Sequence, residues 1–166
     1  MSKILVAYAT KTGTTKEISE AIGNTLQKHG LTVNVSEIDK VDSLDEYTGI
    51  VIGAPINGMK WIPEALKFVE DNMEKLKSTP CACFAVSYLI VDGREVWKNA
   101  IKSSMDQIKA KINPFSTYIF GGKVGSPFPA PFRVMFGIKK GAPLDVTNEH
   151  NVNKWAEDLV TEFKKI

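Results

Sequence analysis

Lys3-Ile4-Leu5-Val6-Ala7-Tyr8, running on through Ala9-Thr10-Lys11-Thr12-Gly13-Thr14-Thr15, decides the fold of this chain. The first six residues form a short apolar run of strand length, and the helical spacing of Ile18, Ile22 and Leu26 begins a few residues later. A strand that feeds a helix through a threonine-rich turn is the first half of a strand–helix–strand unit. From Glu17 the spacing predicts a helix to Lys28, with His29 in its last turn and Gly30 as the stop.

The same alternation continues to the end of the chain. Leu31–Ser36 reads as a half-buried edge strand, Gly49–Ala54 as a central one, Cys81–Ser87 as a buried one and Phe115–Phe120 as the fifth. Helical faces follow at Ile62, Leu66, Val69, Met73 and Leu76, at Trp97, Ile101, Met105, Ile108 and Ile112, and at Val152, Trp155, Leu159, Val160 and Phe163. Asp42–Tyr47 leaves room for only a turn or two. Right-handed crossovers then predict an α/β doubly wound five-stranded parallel sheet, order 2-1-3-4-5, with helices on both faces. Ligands of such sheets bind outside the carboxyl ends of the strands, so the loops after strands one, three, four and five carry the function.

Composition sets the remaining bounds. A chain of 166 residues is sized for one domain, 1–166, and no apolar run approaches the length that crosses a bilayer. Lys3 and the short run after it lack the pattern of a secretory signal, so a cytoplasmic location is expected. A net charge of +2 is too balanced to point to nucleic acid on electrostatics alone, and no nucleic-acid partner is expected. Cys81 and Cys83 fall on one face of a strand with His29 and His150 far away in sequence, so core cysteines are expected and no metal site.

The turn Thr10-Lys11-Thr12-Gly13-Thr14-Thr15 brings hydroxyls and free backbone amides to a helix N-terminus, which suits an anion. Gly-x-Gly-x-x-Gly and Gly-Lys-Ser/Thr are both missing from it, so the dinucleotide and triphosphate patterns do not apply. The plainer role of Thr14 or Thr15 is an N-cap, but one cap does not require four threonines.

Val6–Thr15 (VAYATKTGTT) resembles the phosphate loop of flavodoxins, in the family's position after the first strand. The resemblance implies FMN as cofactor. Thr10, Thr12 and Thr15 would then hold its phosphate by their hydroxyls, with amides from Lys11 through Gly13 and Thr14 to Thr15. Lys11 departs from the usual neutral shell, and either tightens phosphate binding or points to solvent. Gly53-Ala54-Pro55-Ile56-Asn57-Gly58 matches the family's flavin loop after the third strand, and Asn-Gly is independently a turn signal. By similarity, the Asn57-Gly58 peptide reorients when the flavin is reduced. Trp61, with Met59, is the candidate to lie on one ring face, and its plainer reading is a core anchor at a helix start.

After the fourth strand, Ser87-Tyr88-Leu89-Ile90-Val91-Asp92-Gly93 stands where flavodoxins place the aromatic that covers the outer ring face. Tyr88 is the loop's only aromatic, and Leu89 or Ile90 is the alternative cover. Ser87, Asp92 and Gly93 complete the expected cofactor loop. A long insertion loop, 121–148, then follows the fifth strand. It carries four cations against one carboxylate, and Pro131 is placed to start a short helix with Phe132, Met135 and Phe136 on one face. Phe128, Phe132, Met135 and Phe136 together suit peripheral membrane or quinone contact, or an acidic partner; alternatively, the phenylalanines fold back over the sheet edge.

The insertion, Val51-Ile52-Gly53-Ala54 and the helix near Ile62 are similar to a flavodoxin-domain branch that contains the menaquinone-dependent protoporphyrinogen dehydrogenases. The insertion departs from that branch in having one arginine, Arg133, and neither tyrosine nor tryptophan. Three functions follow. The first is an FMN electron-transfer protein, passing one or two electrons between a protein redox donor and acceptor. The second is an FMN-dependent oxidoreductase acting on a quinone or porphyrinogen beneath 121–148. The third is a non-redox binding module on the same fold. No residue set at acid–base or nucleophile spacing points to a catalytic side chain of the protein itself.

Overall fold

The computed structural model describes residues 2–166. Five parallel strands form the sheet: β1 (Lys3–Tyr8), β2 (Thr32–Glu37), β3 (Gly49–Asn57), β5 (Cys81–Val86) and β6 (Ser116–Phe120). β4 (Lys60–Trp61) is a two-residue strand folded back antiparallel on the end of β3. The spatial order is β2-β1-β3-β5-β6, which is the expected 2-1-3-4-5 once the small β4 takes a number.

The sheet is covered on both faces because its strands are apolar in both directions. Leu5, Ala7, Ile50, Ile52, Cys81 and Cys83 pack toward α2 (Pro63–Asp71), α3 (Met73–Ser78) and α5 (Glu95–Ile112). Ile4, Val6, Val51, Ala82 and Phe84 alternate to the other side, against α1 (Thr14–Lys28) and α7 (Glu149–Phe163). One residue of offset along a strand moves a side chain to the opposite layer, so this alternation fixes the register. At Gly53 a Cβ would lie inside the ring of Phe84 on the neighbouring strand, and glycine is required for that aromatic to fill the layer. The cysteines are buried and free; the Cys81 thiol beside it and full burial push the Cys83 thiol up, away from reactive thiolate chemistry.

The strands fall within a few residues of the sequence expectation, and the helices depart from it more. α1 begins at Thr14 rather than Glu17, and Thr14 and Thr15 in its first turn are buried. The single helix expected from Ile62 to Leu76 is two, separated at Asn72. The Asn72 side chain donates to the Phe68 carbonyl at 2.9 Å, and this local bond competes with helix continuation. The loop after β5 holds a one-turn helix, α4 (Leu89–Asp92). The insertion contains α6 (Ala130–Phe136), starting one residue before Pro131.

The insertion is closed at its base like a loop with a clasp. The Val124 amide donates to Leu144 and the Val146 amide to Gly122, and Lys123 bridges to Asp145 in antiparallel pairing. α6 ends at Gly137, whose φ of 76° lets its amide reach Val134 while the Ile138 amide reaches Arg133. Neighbouring residues also donate to the carbonyls at that end. Arg94 donates from its backbone amide to Phe136 and from its guanidinium to Val134, and the Trp97 indole donates to Met135. The helix end is thereby bonded to the start of α5.

Candidate functional site

Strand order reverses between β1 and β3, and a cleft of about 380 Å³ opens at their carboxyl ends, within the range of small-ligand sites. Its first wall is the turn from β1 into α1. Thr10 Oγ1 accepts from the Gly13 amide at 2.9 Å and shapes the turn, and Gly13 adopts a φ of 92° with open space around it. Thr10 and Gly13 therefore brace the loop. Lys11, Thr12, Thr14 and Thr15 line the cleft. Gly13 stands at the N-cap and provides no side chain there, so the N-terminal amides of α1 face the cleft entrance beside threonine hydroxyls.

The second wall is the β3–β4 hairpin. Pro55, Ile56, Asn57, Gly58 and Met59 all line the cleft. The turn is displaced by one residue from the expected Asn57-Gly58. Asn57 still pairs with Lys60 in the ladder, and the two central residues with positive φ are Gly58 at 60° and Met59 at 62°. A two-residue hairpin of this kind needs left-handed backbone at both central positions. Met59 is a thioether side chain held in that conformation at the cleft edge.

Trp61 lies outside this wall. It is 2% exposed, and its indole donates to the Phe84 carbonyl at 3.2 Å, which is the core-anchor alternative of the sequence reading. Ile62 behind it reaches the cleft instead.

Ser87, Tyr88 and Leu89 form the third wall, whereas Ile90, Asp92 and Gly93 turn away with α4 and do not line the cleft. Tyr88 is 7% exposed. Its ring packs on Phe128 with centroids 5.7 Å apart, and its hydroxyl donates to the Pro143 carbonyl. Burial and the Asp92 carboxylate both raise its pKa above the usual tyrosine value.

The fourth wall comes from the insertion: Gly122, Lys123, Val124, Phe128 and Phe136. The sequence reading placed Phe136 on one face with Phe132 and Met135. In the fold, Phe136 turns inward, 5.6 Å from Phe128 and 5.5 Å from Trp97 by ring centroids, while Phe132 and Met135 face solvent. The phenylalanines thus divide between the two alternatives. The missed signal lay in spacing: Phe128 and Phe136 are eight residues apart and meet only because α6 is bonded back to α5.

Two ammonium groups border the cleft. Lys11 pairs with Glu64 of α2 at 2.9 Å, and that bond holds the Glu64 carboxyl below its ordinary range. Lys123 pairs with Glu17 at 2.8 Å, which raises the lysine, and stands 3.9 Å from Asp145. All five groups are substantially exposed, so these pairs position charge more than they stabilise the fold. Among the described residues no group of three or more histidine, cysteine or acidic side chains is arranged to hold a metal ion.

A family model described as the flavodoxin domain matches residues 5–127. Protoporphyrinogen IX dehydrogenase (quinone) of Escherichia coli K12 is 26% identical over 87 residues, covering 51% of this chain and 48% of that protein. Probable flavodoxin 1 of Bacillus subtilis is 34% identical over 88 residues, covering 51% of this chain and 56% of that protein. The chain spans about half the length of the curated relatives it matches. Among solved structures, a short-chain flavodoxin associated with a non-canonical PDU bacterial microcompartment superposes with a TM-score of 0.63 at 20% identity, over 98% of this chain and 99% of that one.

Proposed function

This chain belongs to the flavodoxin domain family, and we propose that it binds FMN in the switch-point cleft and acts as an electron-transfer protein between redox proteins. The observation that carries the reading is the α1 N-terminus, opening into the cleft with Thr12, Thr14 and Thr15 around it. A phosphate ester suits that end because helix amides and threonine hydroxyls donate to its oxygens, while the Lys11 ammonium beside them is paired with Glu64. The rest of the cleft is an apolar slot between the Gly58-Met59 turn and Tyr88-Leu89, of a size and character suited to a flat ring. FMN, when bound, supplies the redox chemistry. The protein's own residues would hold the phosphate at α1, present hairpin backbone to the ring edge, and keep water from its faces through Met59, Tyr88 and Leu89.

A second reading rests on a separate observation. Phe128 and Phe136 extend the cleft wall beyond the residues that match the family, which favours a small apolar substrate such as a quinone or porphyrinogen beneath the insertion. In this reading the chain is an oxidoreductase.

FMN titration of the flavin-free protein, followed by flavin absorption and fluorescence, tests the first reading. Saturable binding is expected, together with its loss in Thr12→Asp and Thr15→Asp, where a carboxylate would meet the phosphate. Unchanged affinity in those variants overturns the site, and no binding by the parent protein leaves a non-redox module. Stepwise anaerobic reduction of the loaded protein then separates the functions: two one-electron stages support a carrier, and one two-electron stage supports the oxidoreductase. In the latter case deletion of Pro127–Gly141 should abolish quinone turnover and spare FMN binding.

A further inference from the structure

Most of the large apolar side chains that remain exposed lie on the insertion or at the α4–α5 junction to which it is bonded. Among the described residues the large exposed ones are Val91, Val96, Phe115, Phe132, Val134, Met135, Leu144 and Ile166. Phe132, Val134, Met135 and Leu144 belong to the insertion. Val91 and Val96 flank the α4–α5 junction on which it rests. Phe132, at 53%, and Val134, at 56%, are more than half exposed on a seven-residue helix. Exposed apolar groups gathered on one element mark a contact surface.

Along the insertion the charges are positive as far as Leu144, with Asp145 next in the chain and Asp92 and Glu95 beside Val91 and Val96. From Gly121 to Leu144 the chain contains Lys123, Arg133, Lys139 and Lys140 and not one carboxylate. Lys123 is paired at the cleft, but Arg133, Lys139 and Lys140 make no ion pair among the described residues. Lys139 and Lys140 follow the end of α6 after Gly137 and Ile138 and are exposed.

We propose that the outer face of the insertion docks on an anionic lipid bilayer. Phe132, Val134 and Met135 would enter the acyl boundary, and Arg133, Lys139 and Lys140 would lie at the headgroups. An interfacial helix combines these two parts: protruding apolar side chains below and cations at the rim. A lipid surface fits better than an acidic protein because Phe132, Val134 and Met135 protrude as purely apolar side chains with nothing to hydrogen-bond a protein partner, and the cations of the same segment, Arg133, Lys139 and Lys140, make no ion pair among the described residues. Docking in this way sets the cleft near the lipid, since α6 presents Phe136 to the cleft wall and Phe132 to the outside. This proposal does not depend on the flavin reading, because the surface lies outside the cleft.

The test is co-sedimentation of the full chain with vesicles of phosphatidylcholine alone and vesicles that also carry phosphatidylglycerol, at fixed salt. Binding to the anionic vesicles alone is expected. The double variant Lys139→Gln/Lys140→Gln should weaken it by roughly thirtyfold, as two cations near a charged membrane would contribute. Phe132→Ser with Met135→Ser should weaken it by about tenfold or more through lost apolar burial. Both variants should keep the parental far-ultraviolet circular dichroism, which separates loss of docking from loss of folding. Absence of binding to anionic vesicles overturns the proposal, as does equal binding to neutral ones or indifference to both variants. Sedimentation velocity in parallel identifies the competing outcome: a dimer abolished by Phe132→Ser, without vesicle binding, would assign the face to a second copy of the chain and overturn the lipid assignment.

Discussion

The phenolic hydroxyl of Tyr88 donates to the backbone carbonyl of Pro143 at 2.5 Å, so the second residue after β5 is tied to the far limb of the insertion. The bond closes a circuit. Phe128 packs on the Tyr88 ring from the near limb, Phe136 packs on Phe128, and the end of α6 is bonded to Arg94 and Trp97. The insertion is therefore part of the cleft wall, held by both limbs and by its helix.

Tyr88→Phe keeps the ring contact and removes the bond to Pro143. A cost of about 1 kcal/mol is expected, falling mainly on the insertion. Hydrogen exchange should quicken for the amides of Val124 and Val146 at the clasp, while amides in β1 and β3 keep their protection. Equal acceleration in the central strands would show that the bond supports the whole fold.

The clasp should have a pH window. The Tyr88 hydroxyl is held above its ordinary value of 10.0 by burial and by Asp92, so its contribution is complete below pH 10 and is lost as pH rises through the raised value. Asp145 is held below its ordinary value of 3.8, first by the Thr147 hydroxyl, then by the Thr147 amide and Lys123. Its contribution is present above that ordinary value and fades as pH falls through the depressed one. Limited proteolysis across pH with acid- and alkali-tolerant proteases should find residues 125–144 most resistant between these limits.

Gly137→Ala meets two obstacles at once. Its φ of 76° is unfavourable for alanine, and the new methyl would collide with the Arg94 side chain. A destabilisation of about 1–2 kcal/mol, localised in α6, is expected. Amide exchange of Ile138 reads it directly, because that amide closes the helix end on Arg133.

Trp61→Phe should lower stability by about 1–3 kcal/mol, since the Phe84 carbonyl would remain buried without the indole donor. FMN affinity should not change, because Trp61 does not line the cleft. Chemical denaturation and flavin titration of the same variant measure both quantities.

The parts of the molecule that could be read in the sequence are those where one period governs. Ile4 to Tyr8, Gly49 to Ala54 and Cys81 to Val86 are apolar on both faces, and a strand covered on both sides is the consistent outcome. The threonine turn was legible because its position between strand and helix already determines where its amides point. Boundaries were lost where a side chain outvoted the period: Asn72 breaks a helix whose apolar face continues through Met73 and Leu76, and Thr14 enters a helix before its apolar face begins. In the hairpin, the Asn57-Gly58 signal identified the turn, but its register depends on Ile56 pairing with Trp61. Trp61 and Tyr88 illustrate a different limit. Whether an aromatic faces the cleft or the core is set by remote acceptors, the Phe84 and Pro143 carbonyls, and sequence spacing carries no trace of either.

Every bond that anchors the end of α6 to Arg94 and Trp97 is made to a backbone carbonyl. The identities of Phe132, Val134 and Met135 are thus free of structural duty, and α6 is a natural graft position. New side chains at those three positions would inherit a fixed helix beside the cleft, so the molecule's choice of neighbour can be rewritten without redesigning its scaffold.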